Sequence, residues 1–192
     1  EGRTIVDVVD EGDRIAHHFP EQPGLTDGKS ASCEIDWPRR YDHMQQHTGQ
    51  HLLSAILEEQ FGFATLSFHM SDAVSAIELS TPEITSAQID AVHVHAAEAI
   101  AQARPVHIIY EDAAAVSGLR KASQREGTLR IIEIEGLDRS ACGGTHVRNT
   151  SEIGPLLIRR LDKVRGNTRI EFVCGLRALN RARQDYQLLS NL

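Results

Sequence analysis

Two short segments, far apart in the chain, constrain this sequence more than any other feature. The first, His47-Thr48-Gly49-Gln50-His51, begins a run to Phe61 whose leucines and isoleucine recur at helical spacing. Residues four apart lie on the same face of a helix, so both histidine rings would point to one place. The second segment, Cys142-Gly143-Gly144-Thr145-His146, has two glycines, which favour a loop that lets backbone approach a site closely.

Together the two segments offer three imidazole nitrogens and one sulfur, a donor set that suits tetrahedral zinc. Either segment alone is weak, because a His-x3-His pair on a helix is more often a surface or core pair. As a pair they predict one shared zinc site. A zinc protease of the His-Glu-x2-His type has its general base next to the first histidine. Here that position is Thr48, and Gln50 cannot act as a base, so a protease is disfavoured.

The segments HTGQHLLSA and CGGTHV resemble the editing domain shared by alanyl- and threonyl-tRNA synthetases and its free-standing relatives of the AlaX type. IDWPRRYDHMQQ and RNTSEIG are similar to the same family, and the resemblance runs from about Gly2 to Leu179. It implies zinc-dependent hydrolysis of the ester that joins a wrong amino acid to tRNA. The ligands that it implies are His47, His51, Cys142 and His146.

The resemblance also implies a substrate, most strongly serine or glycine on tRNA-Ala, because apolar contacts cannot make an alanine pocket reject them strongly. In related proteins the threonine after the first helix histidine helps to recognise the serine hydroxyl, and Thr48 has this position. The plainer interpretation is that Thr48 bonds to its own helix backbone.

A second candidate catalytic residue is His69. In the family, the matching hairpin often has Gln-Lys-Gly-Ser, whereas this chain has Phe68-His69-Met70-Ser71. The change falls where the amino acid and the terminal adenosine of the tRNA would be bound. The alternative is that His69 is an ordinary hairpin histidine.

Zinc can lower the pKa of bound water to about 7 and polarise a carbonyl group. Four protein ligands would fill a tetrahedron, so the sequence leaves open whether the zinc is catalytic or structural. The backbone N–H groups of Gly143 and Gly144 are candidate donors to the oxyanion of the reaction.

Two other classes of function remain open at this point. One is a zinc-stabilised tRNA-binding module without activity, which a hydrolysis assay would separate from an enzyme. The other is an unrelated metallohydrolase of small esters or amides, which should need no tRNA. No ATP-binding segment for amino-acid activation is evident, so aminoacylation is not predicted. Oligomeric state is not indicated.

The composition fits a globular protein with a real core, since 41% of the residues are hydrophobic. No apolar run reaches the roughly 18 residues of a membrane span. Three cysteines, an odd and sparse count, favour the reducing cytoplasm over a disulfide scaffold.

Charge is distributed unevenly along the chain, although the net charge is −7. Residues 1–117 hold 6 Lys and Arg against 19 Asp and Glu, whereas residues 118–192 hold 14 against 8. A basic C-terminal part is compatible with contact to tRNA phosphates.

The pattern of elements predicts an α+β fold, with helices packed on an antiparallel sheet and a partial N-terminal β-barrel. Residues 1–37 are expected to be the barrel part, with a strand from Ala31 to Trp37, and residues 38–192 the metal-binding editing domain. The first residue is Glu1 rather than methionine, so the barrel part is expected to be truncated. The metal helix is expected from Tyr41 to Gln60, and a short helix from Asp112 to Ala122. Other elements are expected at Thr65–His69, Val74–Leu79, Thr85–Ala103, Val106–Tyr110, Leu129–Ile134, Leu156–Arg160, Thr168–Val173 and from Leu176 onward.

Overall fold

The computed structural model describes residues 3–21, 24 and 28–191, and the chain divides into two compact units, Glu1–Ile35 and Asp36–Leu192. In the first unit, β1 (Asp7–Asp10) pairs antiparallel with β2 (Ile15–His18). Among the described residues of this unit these two strands form the only sheet, so it contains a hairpin rather than a closed barrel. The division into 1–37 and 38–192 stays a prediction.

The second unit begins with the long helix α1 (Trp37–Phe61). The side chain of Asp36 accepts a hydrogen bond from the N–H of Arg39 at 3.1 Å, and Pro38 stands in the first turn. Gly62 ends the helix in the left-handed conformation, with φ 70°. The predicted strand from Ala31 to Trp37 is therefore wrong, because a capping aspartate and a first-turn proline start a helix there.

Two antiparallel sheets and two further helices complete the second unit, which confirms the α+β prediction. The four-stranded sheet has the order β3-β4-β9-β8 and the three-stranded sheet the order β5-β6-β7. The elements are β3 (Thr65–Met70), β4 (Ser75–Leu79), α2 (Ser86–Ala101), β5 (Val106–Asp112), β6 (Thr128–Ile134), β7 (Asp138–Ala141), a 3₁₀ helix (Thr150–Ile153), β8 (Leu156–Val164), β9 (Asn167–Cys174) and α3 (Gly175–Ser190).

The short helix predicted from Asp112 to Ala122 is wrong. Asp112 still pairs with Thr128 as the last residue of β5. Its carbonyl group accepts the N–H groups of Ala115 and Val116, which makes a single turn. Gly118 then has φ 68°, a conformation that interrupts a helix.

Helix α1 lies where the two sheets meet, since it contacts β3, β4 and β9 of one sheet and β7 of the other. Its apolar face is buried in the core beside Ile77, Phe172 and Ile134. This packing holds the helix face that carries His47 and His51 against the end of β7. In the part of the chain that the structure describes, no helix is long and apolar enough to cross a membrane.

Candidate metal centre

The fold brings the four predicted ligands together. One ligand atom from each of His47, His51, Cys142 and His146 lies within 4.8 Å of all the others. The Sγ atom of Cys142 is 3.4 Å from Nε2 of His47 and 3.4 Å from Nε2 of His146. A single cation at the middle of this group could bind all four side chains.

Arg130 positions the loop that carries the thiol. Its Nη1 donates to the carbonyl oxygen of Cys142 at 2.7 Å and to that of Gly144 at 2.9 Å. The N–H of Cys142 in turn donates to the carbonyl oxygen of Arg130 at 3.0 Å, which continues the pairing of β6 and β7 by one residue. The chain at Cys142 is therefore held by a strand and by a charged side chain.

Gly144 allows the loop to approach the helix. A Cβ atom at this position would lie 2.2 Å from Cε1 of His47, a distance that the imidazole could not accommodate. The N–H of Gly144 points to the Sγ atom of Cys142 at 3.4 Å. This predicted oxyanion donor is thus engaged by the thiol.

His51 is buried and its Nδ1 lies 2.7 Å from a carboxylate oxygen of Asp138. Burial opposes ionisation of Asp138, but the hydrogen bond to His51 and the charge of Arg120 hold its pKa below the usual value. Since an ionised carboxylate only accepts hydrogen bonds, Nδ1 of His51 carries the proton. The lone pair is then on Nε2, and the carboxylate makes the ring a stronger ligand.

Further hydrogen bonds hold Asp138 in place. Its other oxygen accepts from Nε of Arg120 at 2.6 Å and from the hydroxyl of Ser140 at 3.1 Å. A cleft of about 470 Å³ lies on this side of the molecule, lined in part by Glu58, Arg120 and Asp138. None of the four ligand residues lines the cleft, so it is separate from the metal centre.

The Thr48 hydroxyl, which is fully buried, determines the state of His146. It donates its single hydrogen to the carbonyl oxygen of Met44 at 2.9 Å, because a carbonyl group can only accept. It accepts the N–H of Val147 at 3.1 Å and lies 3.2 Å from Nδ1 of His146. The remaining lone pair requires a proton on that nitrogen, so the lone pair of His146 is also on Nε2.

The charge states of Cys142 and His146 are those that a metal cation requires. Burial favours the neutral thiol of Cys142, yet the neighbouring rings of His146, His47 and His51 lower its pKa to about 3. Burial lowers the pKa of His146 to about 4, against the opposite effect of Cys142. The chain thus presents a thiolate and a neutral imidazole at neutral pH, the forms that bind zinc.

His47 is held differently from the other two histidines. It is half-buried, and within the described part of the chain its Nδ1 has no hydrogen-bond partner. Its ring stacks on Phe68 of β3, with centroids 5.5 Å apart and an interplanar angle of 17°. Packing against Phe68 and the contact of Nε2 with the thiol of Cys142 therefore set its orientation, and no hydrogen bond holds Nδ1.

The structure places His69 away from the four ligands. It follows Phe68 in β3, and successive strand residues point to opposite faces of a sheet. Since Phe68 faces His47, His69 faces the other way, where it is exposed. Among the described residues its imidazole ring has no hydrogen-bond partner.

Comparison with known proteins finds a family model that matches part of this chain. Residues 129–171 match the family described as the second additional domain of threonyl and alanyl tRNA synthetases. This matched region holds Cys142 and His146 together with Asp138 and Arg130. These residues are therefore similar to that domain.

Three similar proteins are named as alanyl-tRNA editing proteins. Aarsd1-B of Xenopus laevis is 38% identical over 89% of this chain and 43% of its own length. Aarsd1 of Danio rerio is 33% identical over 100% of this chain and 47% of its own length. AlaX-L of Pyrococcus horikoshii is 32% identical over 81% of this chain and 39% of its own length. The chain thus spans less than half the length of each of these relatives.

Several residues of the site could not be recognised from the sequence. Asp138 lies in the matched region, residues 129–171, but nothing in its neighbours marks it as the partner of a histidine 87 positions earlier. Arg130 and Phe68 are ordinary strand residues by pattern. One contact of the site was among the alternatives considered from the sequence. Thr48 donates a hydrogen bond to the carbonyl oxygen of Met44, which is the bond to its own helix backbone that the plainer interpretation of Thr48 describes.

Proposed function

We propose that this chain is a zinc-dependent deacylase, which hydrolyses the ester of tRNA that carries a wrong amino acid, most strongly serine or glycine on tRNA-Ala. The observation that carries the proposal is the four-residue centre, in which the histidines and the thiolate converge within 4.8 Å. The printed names of the relatives, alanyl-tRNA editing proteins, support the substrate class.

The donor set fits zinc better than a harder cation, because it consists of a thiolate and imidazoles without a carboxylate oxygen. His51 and His146 both direct the unprotonated Nε2 at the common point, as deduced from their Nδ1 partners. Zinc bound there would supply Lewis-acid polarisation of the ester carbonyl and a water of lowered pKa.

The ligand side chains differ in how firmly the surrounding residues hold them. Asp138 and Thr48 orient two buried ligands, so these should keep their positions throughout a reaction. His47 has no such partner and is half-buried, so it is the ligand that a substrate could displace with the smallest loss. We infer that access to the ester is on the side of His47 and Cys142.

A second candidate is favoured by one observation. Four ligands from the chain would saturate a tetrahedral zinc, which is typical of structural sites. In that case the unit would be a zinc-stabilised tRNA-binding module without hydrolytic activity.

The decisive experiment measures initial rates of deacylation of Ser-, Gly-, Thr- and Ala-charged tRNA with zinc-loaded and zinc-stripped protein. The deacylase proposal expects rapid release of serine or glycine, intact Ala-tRNA and loss of activity on stripping. Binding of tRNA without release of any amino acid would instead favour the structural module.

The tRNA partner is supported by basic residues at the tip of the β8–β9 hairpin. Four basic residues lie in β8 and at this tip. Arg159 is paired with Asp185 and Arg160 with Asp162, whereas Lys163 and Arg165 are exposed. We expect tRNA binding to weaken steeply with salt, and Lys163→Gln with Arg165→Gln to flatten the dependence. A wild-type affinity that is equal at low and physiological salt would exclude phosphate contact.

We place this activity in the cytoplasm. Cys33, Cys142 and Cys174 are all free, and Cys142 must remain a thiolate to serve as a ligand. A reducing compartment meets this requirement.

A further inference from the structure

The guanidinium group of Arg177 joins three elements of the fold. Arg177 lies in the first turn of α3, its side chain is 13% exposed, and its Nε donates to Oδ1 of Asp42 in α1 at 2.7 Å. Its Nη2 donates to the other oxygen of the same carboxylate. Its Nη1 donates to the carbonyl oxygen of Ser71 at 2.7 Å, 106 residues earlier in the chain. One side chain thus ties the turn between β3 and β4 to the helix that carries His47 and His51.

The other polar attachments of this turn are weaker. Asp72 forms ion pairs with Arg39 and His43, both at 3.6 Å, but its side chain is 83% exposed. Exposed ion pairs contribute little, because water and salt screen them. Ser75, at the start of β4, is fully buried, and its hydroxyl has no partner among the described residues, which opposes the packing of this end of the hairpin. Arg177 therefore provides the firmest polar attachment of the turn.

The position of β3 affects the metal centre through Phe68. Within the described residues β3 is an edge strand that pairs only with β4, and its register shifts between Thr65 and Ser67. Phe68 stacks on the ring of His47, whose Nδ1 has no hydrogen-bond partner in the described part of the chain. A displacement of this edge strand would move the ring of Phe68 and leave His47 freer to turn.

We propose that Arg177 is a positioning residue for the metal centre. By tying the turn after β3 to Asp42 of α1, it keeps Phe68 stacked on His47, the half-buried ligand on the side of the centre that is open to an ester. A planar guanidinium group suits this role, since it can bind a carboxylate with two N–H groups and a carbonyl group with a third at the same time. The inference rests on the metal site of the proposed function, because it concerns the support of one ligand.

The first measurement needs no metal. Hydrogen exchange of the backbone amides is followed by mass spectrometry for the metal-free wild type, Arg177→Lys and Arg159→Lys. A lysine keeps the positive charge beside Asp42 but lacks the planar fork, so it should not hold the carboxylate and the carbonyl of Ser71 together. Arg177→Lys should exchange faster across β3 and the turn. The matched control is Arg159→Lys, whose ion pair with Asp185 joins β8 to α3, and it should exchange there like the wild type.

The second measurement separates positioning from general stability. The rate of zinc release to a chelator is measured for the wild type, Arg177→Lys, Phe68→Ala and the double variant. Arg177→Lys should release zinc several-fold faster than the wild type, and no faster than Phe68→Ala. In the Phe68→Ala background, Arg177→Lys should add nothing, because both residues act through one contact. A general loss of stability, followed in parallel by thermal unfolding, would instead add to the effect of Phe68→Ala.

Unchanged exchange of β3 in Arg177→Lys would overturn the inference, and so would effects on zinc release that multiply in the double variant. If Arg177→Lys does not fold, Asp42→Asn makes the same test from the other partner, because it keeps the size of the side chain and removes its charge. Failure of the wild type to bind zinc would remove both the proposed site and this role of Arg177. Absence of hydrolysis by the zinc-loaded protein would remove the proposed activity alone.

Discussion

The metal centre has two sides that are built on different principles. On the buried side, His51 and His146 each have a hydrogen-bonded Nδ1, one to Asp138 and one to Thr48. On the solvent side, His47 is held by packing against Phe68, and Cys142 by a loop that Arg130 clamps. Hydrogen bonds select both the orientation and the tautomer of a ring, whereas packing selects the orientation alone. We infer that the buried side determines affinity for the metal and that the solvent side permits chemistry.

The largest expected effect comes from removing one ligand on each side. The wild type should hold about one zinc per chain, and His51→Ala and Cys142→Ala should each lower the occupancy, because every ligand carries part of the binding free energy. The double variant should hold none. Metal content by mass spectrometry of purified protein is the measurement, with Cys33→Ala as the matched control for loss of a thiol. Stoichiometric zinc in the double variant would contradict the assignment.

The next largest effect on zinc affinity is expected from Asp138, the carboxylate that is hydrogen-bonded to His51 on the buried side. Asp138→Asn removes the charge that orients His51, and its amide would direct N–H groups at Arg120 or at the ring. Zinc affinity should fall roughly 10- to 100-fold, as is usual for loss of such a partner. A competition titration with a chelator measures it.

The control for that variant is Asp72→Asn, which deletes the same charge from a side chain that is 83% exposed and forms ion pairs with Arg39 and His43 rather than with a ligand. Its affinity for zinc should equal that of the wild type. If Asp138→Asn and Asp72→Asn behave alike, the carboxylate of Asp138 does not support the ligand.

Thr48→Val tests the second anchor and keeps the shape of the side chain. It leaves Nδ1 of His146 and the N–H of Val147 without an acceptor, which should cost about 1–3 kcal/mol of stability for a buried donor. Zinc affinity should fall less than in Asp138→Asn, since Thr48 is neutral. Because all capacity of the hydroxyl is used inside the protein, the ratio of Ser-tRNA to Ala-tRNA hydrolysis should not change. A ratio that falls while zinc stays bound would instead show that Thr48 contacts the substrate.

The smallest effects on the metal are expected on the solvent side. Phe68→Ala removes the ring stacked on His47, an interaction of about 0.5–1.5 kcal/mol, so zinc affinity should fall only several-fold. His69→Ala, its neighbour on the opposite face of β3, should leave both zinc and the deacylation rate unchanged. A loss of rate in His69→Ala with zinc retained would place His69 at the substrate after all.

Local sequence signals predicted most of the helices and strands. They failed where signals for a helix and for a strand occurred in the same stretch. The spacing of Leu52, Leu53, Ile56 and Leu57 placed the apolar face of α1 correctly, since a buried stripe must recur every turn. The stretch before it contained Ile35 and Trp37, which favour a strand, and the capping signals of Asp36 and Pro38 were the stronger ones. At Asp112 the alanines favoured a helix, yet pairing with Thr128 continued the sheet through that residue.

The sequence by itself predicted the donors, because three histidines and a cysteine at helical and loop spacing have few other uses together. Tertiary structure decided which nitrogen of His51 and of His146 is free to bind a metal, since that depends on partners 87 and 98 residues away in the chain. It also decided that Thr48 faces His146 and that His69 faces solvent. The physical reason is that periodicity assigns a side chain to a face of its own element, whereas a hydrogen-bond partner is set by which elements pack together.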